Sequence, residues 1–306
     1  MDYKTKITVT SVLLGVLCLT AVLGWVFSQQ SVAERAAQQP LLTGFQASEA
    51  TSLVLGNGVT LAKAAGGWSL TYQGKSYPAA GERIDSYVKS LQSLLRERLV
   101  TQDADVKALG LDQGFKTLKV LGGGGKVLAD LQIGGTNDLG DKAFVRIAGQ
   151  KEVWQTDRNF VRSLELDFNT WADLSLSPGR KPEALIRVAF DGKITAPDKS
   201  VYPSFDLVKS TKASKAVWEN SVTKAGNDAM TSWTQQLVSF RFGAFASPGD
   251  PAPVATTLGT LTLSWSDGKQ TVVKIGPADS QKRYRCNDGT RDFWVNDWAL
   301  GQLLYK

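Results

Sequence analysis

Residues 117–134 read TLKVLGGGGKVLADLQIG, and residues 260–276 read TLTLSWSDGKQTVVKIG. Both stretches run from an apolar strand pattern through a glycine-lysine turn to a closing Ile-Gly pair. The match continues in VWQTD at 153–157 and FWVND at 293–297. The offset drifts only from 260 − 117 = 143 to 293 − 153 = 140 residues, which a gapped duplication explains better than chance. A repeat of this length predicts two copies of a packed domain rather than a solenoid.

Alternating apolar and polar residues around these matches predict an antiparallel meander in each copy. In the first copy its strands are expected at 117–121, 127–133, 143–147 and 152–155. An opening hairpin, turned by Asn57-Gly58, is expected before it, because this dipeptide favours a two-residue hairpin loop.

One amphipathic helix is predicted between the hairpin and the meander of the first copy, beginning at Gly81. Its apolar residues recur at helical spacing at Ile84, Val88, Leu91, Leu94, Leu95 and Leu99. The second copy repeats the order, with a strand at 185–190 that ends in an Asp191-Gly192 turn and a helix capped by Asp228. Asp157 and Asp297 are expected to cap short final helices.

The chain begins with an apolar stretch, residues 7–27, that carries no charge. At about 1.5 Å per residue it can cross a bilayer core of roughly 30 Å. Lys4 and Lys6 precede it, so we expect a single-pass anchor with a cytoplasmic N-terminus and the bulk outside the membrane. The alternative is a cleavable signal peptide cut after Ser31-Val32-Ala33, but the apolar stretch is longer than such signals usually are.

The predicted fold class is therefore α+β, with tandem duplicated domains built on antiparallel sheets and one N-terminal transmembrane helix. The domain organisation that follows comprises a tail at 1–6, an anchor at 7–27, a stalk at 28–48, a first domain at 49–176 and a second domain at 184–306. The boundary lies at the proline-containing stretch 177–182, since proline neither continues a helix nor donates to a strand ladder.

Composition excludes several classes of function. The formal net charge is +6, but no basic run stands out, so nucleic acid is not an expected partner. The chain has no histidine, which removes Ser-His-Asp and Cys-His catalysis and the usual zinc sites. Its two cysteines are Cys18, inside the apolar stretch, and Cys286, so no intramolecular disulfide is expected. We predict no catalytic residue, no metal site and no cofactor.

Three local motifs are better explained by structure than by chemistry. The stretch GGGGK at 122–126 lacks the first glycine and the Ser/Thr of a phosphate-binding loop and is interpreted as a hairpin loop. The Ser-x-x-Lys spacings at 86–89 and 221–224 lack the other elements of serine acyl-enzymes. The aspartate pairs at 103 and 105 and at 138 and 141 lack the ligand set of a calcium loop.

Four residues recur at matching places in the two copies and are the candidate structural or partner-binding residues. Trp154 and Trp294 sit within predicted strands, where a core position is favoured over stacking on a ligand. Arg98 and Arg241 sit at predicted helix ends, where binding of free carbonyls is favoured over binding of an anion.

The first copy resembles the family catalogued as domain of unknown function 4340. The resemblance rests on WSL at 68–70, LLRERLV at 94–100, LGL at 109–111, LQIG at 131–134, FVR at 144–146 and VW at 153–154. It covers roughly residues 60–175. It implies a membrane-anchored, extracytoplasmic protein, often encoded beside an ABC-type transporter that resembles gliding-motility and auxiliary export systems. It implies no catalytic residue.

We therefore expect a non-enzymatic accessory or scaffold subunit of an ABC-type export or gliding-like complex at the cytoplasmic membrane. Its expected partners are the permease and the ATPase of the transporter. The alternative is an extracytoplasmic lipid- or glycan-binding module, and an enzyme ranks third.

Overall fold

A computed structural model describes residues 39–101, 106–164, 167–212, 215–247, 249–250 and 256–306, together with Thr20 and Val22. The chain divides after Trp171 into two compact units, here unit 1 and unit 2. The predicted anchor at 7–27 lies outside the described residues, apart from those two positions. Within the described ranges no helix is long and apolar enough to cross a membrane.

Unit 1 is built on one nine-stranded antiparallel sheet. Its strands are β1 Ala50–Leu55, β2 Thr60–Ala64, β3 Gly67–Tyr72, β4 Lys75–Pro78, β5 Arg98–Thr101, β6 Lys116–Gly122, β7 Val127–Thr136, β8 Lys142–Ile147 and β9 Val153–Asp157. Its α-helices are α1 Gly81–Gln92 and α2 Arg158–Ser163. The strand order is β4-β3-β2-β1-β6-β7-β8-β9-β5, so β1 joins the opening strands to the meander.

Helix α1 packs on one face of this sheet, which we call the inner face. Asp85 of α1 accepts hydrogen bonds from the indole nitrogen of Trp68 at 2.8 Å and from Lys63 Nζ at 3.1 Å. Lys63 and Trp68 are opposed across β2 and β3, on the same face as the buried pair Leu61 and Leu70. The apolar stripe of α1 is buried at Ile84, Tyr87, Val88 and Leu91.

The helix is shorter than the sequence predicts. It ends at Gln92, and Leu99 lies in the edge strand β5. The segment after the helix is extended because it forms backbone hydrogen bonds with the chain near Pro40. Leu41 N donates to Leu94 O at 2.6 Å, and Arg96 N donates to Gln39 O at 2.9 Å. The six-residue apolar pattern therefore spans a helix and a strand.

Unit 2 contains an eight-stranded antiparallel sheet and a two-stranded ribbon. Its strands are β10 Leu185–Gly192, β11 Ile194–Thr195, β12 Val201–Tyr202, β13 Phe205–Lys212, β14 Lys215–Asn220, β15 Ala244–Phe245, β16 Gly259–Trp265, β17 Gln270–Ala278, β18 Arg283–Asn287 and β19 Asp292–Asn296. Its α-helices are α3 Asp228–Val238 and α4 Leu300–Leu303. The main sheet has the order β14-β13-β10-β16-β17-β18-β19-β15, and β11 pairs with β12. Antiparallel sheets with few helices thus confirm the coarse fold class.

Helix starts in the two units agree only in part with the sequence prediction. Asp157 caps α2 as predicted, accepting from Asn159 N at 2.8 Å. The cap of α3 is Asn227, whose Oδ1 accepts from Met230 N at 2.8 Å, so the prediction of Asp228 was one residue late. The prediction that Asp297 is a cap is wrong by one residue as well, because Asp297 is the first residue of a 3-10 turn, Asp297–Ala299, that follows Asn296 and leads into α4.

The predicted Asp191-Gly192 turn is also wrong, because both residues belong to β10. Asp191 is opposed to Thr260 and Gly192 to Gly259 in the ladder with β16. Gly192 has a φ of 146°, and a Cβ there would collide with the backbone at Gly259. Glycine at this position therefore permits two backbones to approach, and the strand continues through it.

Candidate functional site

Both recurring tryptophans are buried on the second strand from one end of their sheets. Trp154 lies on β9 and is 8 % exposed, and Trp294 lies on β19 and is 7 % exposed. Their side chains nevertheless project from different faces, which the pairing registers show.

Trp154 lies on the inner face of unit 1. It is opposed to Val145, which lies on the same face as Ile133 because that pair is opposed in turn. Alternation along β7, β6 and β1 connects this row to Leu61 on the inner face. The Arg96 guanidinium lies 5.1 Å from the indole centroid. In the described part of the chain the indole nitrogen has no hydrogen-bond partner.

Trp294 lies on the outer face of its sheet. Helix α3 packs on the inner face of unit 2, where the Trp233 ring meets Phe205 at 5.7 Å between centroids. The row of opposed residues on that inner face includes Cys286 and Phe293. The next residue, Trp294, therefore projects from the other side of the pleated strand.

The outer face around Trp294 is filled by charged side chains. The indole lies 4.5 Å from the Arg283 guanidinium and 5.0 Å from that of Arg285, measured from the ring centroid. Its nitrogen donates to Asp250 Oδ2 at 2.9 Å. Arg283 also pairs with Asp279 at 2.8 Å. This arrangement is a packed layer of ion pairs and cation-π contacts.

Arg98 lies on β5 and lines a cleft on the outer face of unit 1. The cleft has a volume of about 320 Å³. Its floor is a row of opposed residues from three neighbouring strands, Arg98, Gln155 and Phe144. Its walls are formed by Val100, Ala108, Leu109 and the turn 136–138. We call this the Arg98 cleft.

The polar groups of the Arg98 cleft include a cation and an anion. Arg98 and Asp138 are both exposed, and neither side chain has a hydrogen-bond or ion-pair partner among the described residues. The same holds for the Gln155 amide. Asn137 is different, because its side-chain amide donates to Asp141 Oδ1 and accepts from the backbone N–H groups of Asp141 and Lys142. The cleft thus offers a guanidinium, a carboxylate and an amide beside an apolar wall.

The predicted helix-end role of Arg98 does not fit this position, since α1 ends at Gln92. Arg241 is likewise outside a helix, because α3 ends at Val238. It forms an isolated bridge with Ser175 and lies 4.0 Å from Asp173, with 58 % of its side chain exposed. The two arginines recur in sequence, but only Arg98 lines the cleft.

A second cleft in unit 1, of about 370 Å³, lies between the end of α1 and the start of α2. Its carboxylates already have partners. Glu97 pairs with Lys142 at 2.5 Å, and Asp157 caps α2. This cleft therefore offers a ligand less unpaired charge than the Arg98 cleft does.

The other sequence motifs have ordinary structural places. Residues Gly123–Gly125 form a 3-10 turn between β6 and β7. Ser86 and Lys89 are exposed on α1, and Ser221 and Lys224 follow β14 in an exposed turn. Residues 103 and 105 lie outside the described residues. Among the described residues no group of three or more acidic, Cys or His side chains could hold a metal ion.

Cys286 is fully buried, and burial raises the pKa of its thiol. A neutral, enclosed thiol is a poor nucleophile, because the thiolate is the reactive form.

The polar residues of the Arg98 cleft that the sequence analysis missed are Thr136, Asn137 and Gln155. Period-two alternation places the side chains of Gln155 and Trp154 on different faces of the sheet. Which of the two faces carries a cleft depends on the chain segment that packs on that face, and alternation does not report this.

Comparison with known proteins adds one relationship. The family model described as domain of unknown function (DUF4340) matches residues 68–258. No curated protein and no solved structure matches the chain.

Proposed function

The chain belongs to the DUF4340 family, a domain of unknown function, and on that premise we propose that it is a non-enzymatic accessory or scaffold subunit of an ABC-type export or gliding-like complex. The partners we propose are the permease and the ATPase of that complex. Their identity rests on the context that the family resemblance implies. What the chain itself contributes is a surface suited to holding another protein.

The observation that carries the proposal is Trp298. Its side chain is 72 % exposed, although most tryptophans of the chain are largely buried. The turn that bears it is fixed on both sides. Asp297 N donates to Lys282 O at 3.0 Å, and Leu300 and Leu303 that follow are fully buried. A large aromatic side chain held outward on a rigid turn is typical of an interface anchor.

Co-purification tests this proposal. Detergent-solubilised protein should bring down a multi-pass permease and its ATPase, and Trp298→Ala should weaken that association about tenfold or more. Val222→Ala is the matched control, because Val222 is 85 % exposed in the same unit but small. Wild-type protein that purifies alone under conditions preserving the transporter would contradict the proposal.

We place the protein in the cytoplasmic membrane, with residues 7–27 as an uncleaved single-pass anchor and the two units outside. The support is the uncharged length of that stretch and the two lysines before it. Intact-mass analysis of the membrane fraction should find the full chain. A mature N-terminus at Glu34 would show that the segment is a cleaved signal.

We also propose that the two units are diverged copies of one domain. Both main sheets place the first strand of the unit beside the meander, and both end in a strand that follows the amphipathic helix, β5 and β15. Superposition of experimental structures of the units should bring β9 onto β19. Phe293, rather than Trp294, should occupy the place of Trp154, because Phe293 and Trp154 both lie on the inner face of their own sheet.

The second candidate function is an extracytoplasmic ligand-binding module, for which lipid or glycan was the sequence-based expectation. The Arg98 cleft favours this candidate, since it contains charged and hydrogen-bonding groups without partners in the described part of the chain. Binding of a ligand to purified protein without a transporter would support it independently of the scaffold proposal.

A further inference from the structure

We propose that the Arg98 cleft binds a small zwitterion of amino-acid or dipeptide size, with its carboxylate on Arg98 and its ammonium group on Asp138. The inference deepens the ligand-binding alternative by naming the ligand class. It does not depend on the transporter proposal. It follows from the charges, the volume and the apolar wall of the cleft.

The charges select a ligand that carries both signs. Arg98 presents a planar donor fork suited to a carboxylate, and Asp138 presents an acceptor suited to an ammonium group. A phosphate or another polyanion would meet the like charge of Asp138. A metal cation would meet Arg98, and Asp138 is the one carboxylate among the described residues that line the cleft. A neutral sugar would leave both charges without a counter-charge.

The size of the cleft limits the ligand further. About 320 Å³ stands at the small end of the roughly 300–1,000 Å³ found for ligand pockets. Leu109 and Val100 of the wall, with Phe144 of the floor, offer an apolar surface that can take one aliphatic side chain. The Gln155 amide lies between Arg98 and Phe144 and can donate and accept, as a peptide or amino-acid backbone requires.

Unit 2 shows that the fold does not require such an opening. On its outer face the row of opposed residues from the corresponding strands is Ala244, Trp294 and Arg285. There the indole fills the row and is held by two guanidinium groups and Asp250. In unit 1 the corresponding row carries Gln155 in the middle, and the cleft lies over it.

Calorimetric titration of the full chain in detergent tests the proposal. The probes are the twenty amino acids and leucyl-leucine, with N-acetyl-leucine and leucinamide lacking one charge each. We expect at least one zwitterion to bind and its one-charge analogue to bind about tenfold more weakly or worse. Arg98→Gln and Asp138→Asn should each weaken binding by a similar factor, and Arg241→Gln should leave it unchanged.

Arg241 is the matched control because it is an exposed arginine that does not line the cleft. Asp138 is exposed on a turn, so Asp138→Asn tests the site even if Arg98→Gln fails to fold. The proposal is overturned if no zwitterion binds at millimolar concentration, if neither cleft variant weakens binding, or if the one-charge analogues bind equally well. Co-purification with the permease, measured on the same variants, separates this result from the scaffold proposal.

Discussion

Gly134 illustrates how a single missing side chain sets the packing of a whole segment. A Cβ there would overlap the carbonyl oxygen of Leu109 and lie 2.9 Å from Leu111 Cγ. That contact brings the segment 106–111 onto the outer face of the sheet, where Leu111 joins the small core around Phe144 and Val153. The repeat-related Gly276 is less crowded, since a Cβ would lie 3.2 Å from Arg285 O.

We expect Gly134→Ala to lower the free energy of unfolding by about 1–3 kcal/mol, the usual cost of overpacking. Gly276→Ala is the matched control and should cost less, because a shift of a few tenths of an ångström relieves its contact. Urea denaturation of the two variants measures the difference. Equal losses of unfolding free energy in the two variants would show that the segment 106–111 shifts easily to accommodate the added methyl group.

Asp206 is held in its charged form by a bidentate pair. Hydrogen bonds from Arg187, both 2.8 Å long, are the main cause that lowers the pKa of its carboxyl, against an opposing effect of burial. A folded-state pKa below the unfolded value of about 3.9 gives stability that is present above that value. This stability is lost as the pH falls through the folded-state pKa.

Asp206→Asn should therefore flatten the loss of stability that begins as the pH falls below about 4. Its cost at pH 7 should stay below about 1 kcal/mol because Arg187 is half exposed. Urea midpoints across this range provide the measurement. Arg187→Gln should flatten the curve in the same way. If both variants lose stability at low pH as steeply as the wild type does, other carboxyl groups cause that loss.

At the scale of the element, the start of α3 depends on one side chain. Asn227 has extended backbone angles and caps the helix through Met230 N, whereas Asp228 is the first helical residue. Asn227→Ala should cost about 1 kcal/mol. Asp228→Ala should cost only a few tenths, the contribution of a charge near the helix dipole. The reverse order of the two values, measured by thermal melting, would restore Asp228 as the cap.

The strands β9 and β19 carry their tryptophans in different surroundings. The Trp294 indole donates to Asp250, while the Trp154 nitrogen lacks a partner in the described part of the chain. Trp294→Phe should therefore destabilise more than Trp154→Phe, by about 1–3 kcal/mol, because it removes a hydrogen bond to a carboxylate and leaves Asp250 Oδ2 with Ser247 N as its donor. Chemical denaturation of both variants tests this, with Asp250→Asn as a further comparison. A larger loss for Trp154→Phe would contradict it.

At the scale of the whole molecule, each unit has an apolar core of its own. In unit 1 the inner face buries Leu53, Leu61 and Leu70 completely, and in unit 2 Leu261, Val273 and Ile275 are buried equally. Burial of this kind is the main stabilising term in folding.

We therefore expect the thermal midpoint Tm of the full chain to be unchanged by excess EDTA. Differential scanning calorimetry with and without the chelator decides it, and titration with CaCl₂ is the control. A fall of many degrees in EDTA would reveal a structural metal ion.

The sequence alone determined the elements that depend on local patterns. Period-two alternation and glycine turns predicted the antiparallel strands near 117–121, 127–133 and 143–147, and the Asn57-Gly58 hairpin is present as expected. The recognised family is likewise the one whose model matches the chain. These features need only the residues within one element or one turn.

The tertiary structure decided which face each side chain uses. Ile133 lies in one row of opposed residues with Trp154, whereas its match Ile275 lies in one row with Phe293, and a shift of one residue moves a side chain to the other face. For this reason Trp154 faces inward although Trp294, its match in sequence, faces outward. The position of Arg98 in the cleft also depends on contacts between residues that are distant in sequence. Long-range hydrogen bonds to residues 39 and 41 draw the chain after α1 into an extended path, and periodicity within the helix cannot report contacts so distant in sequence.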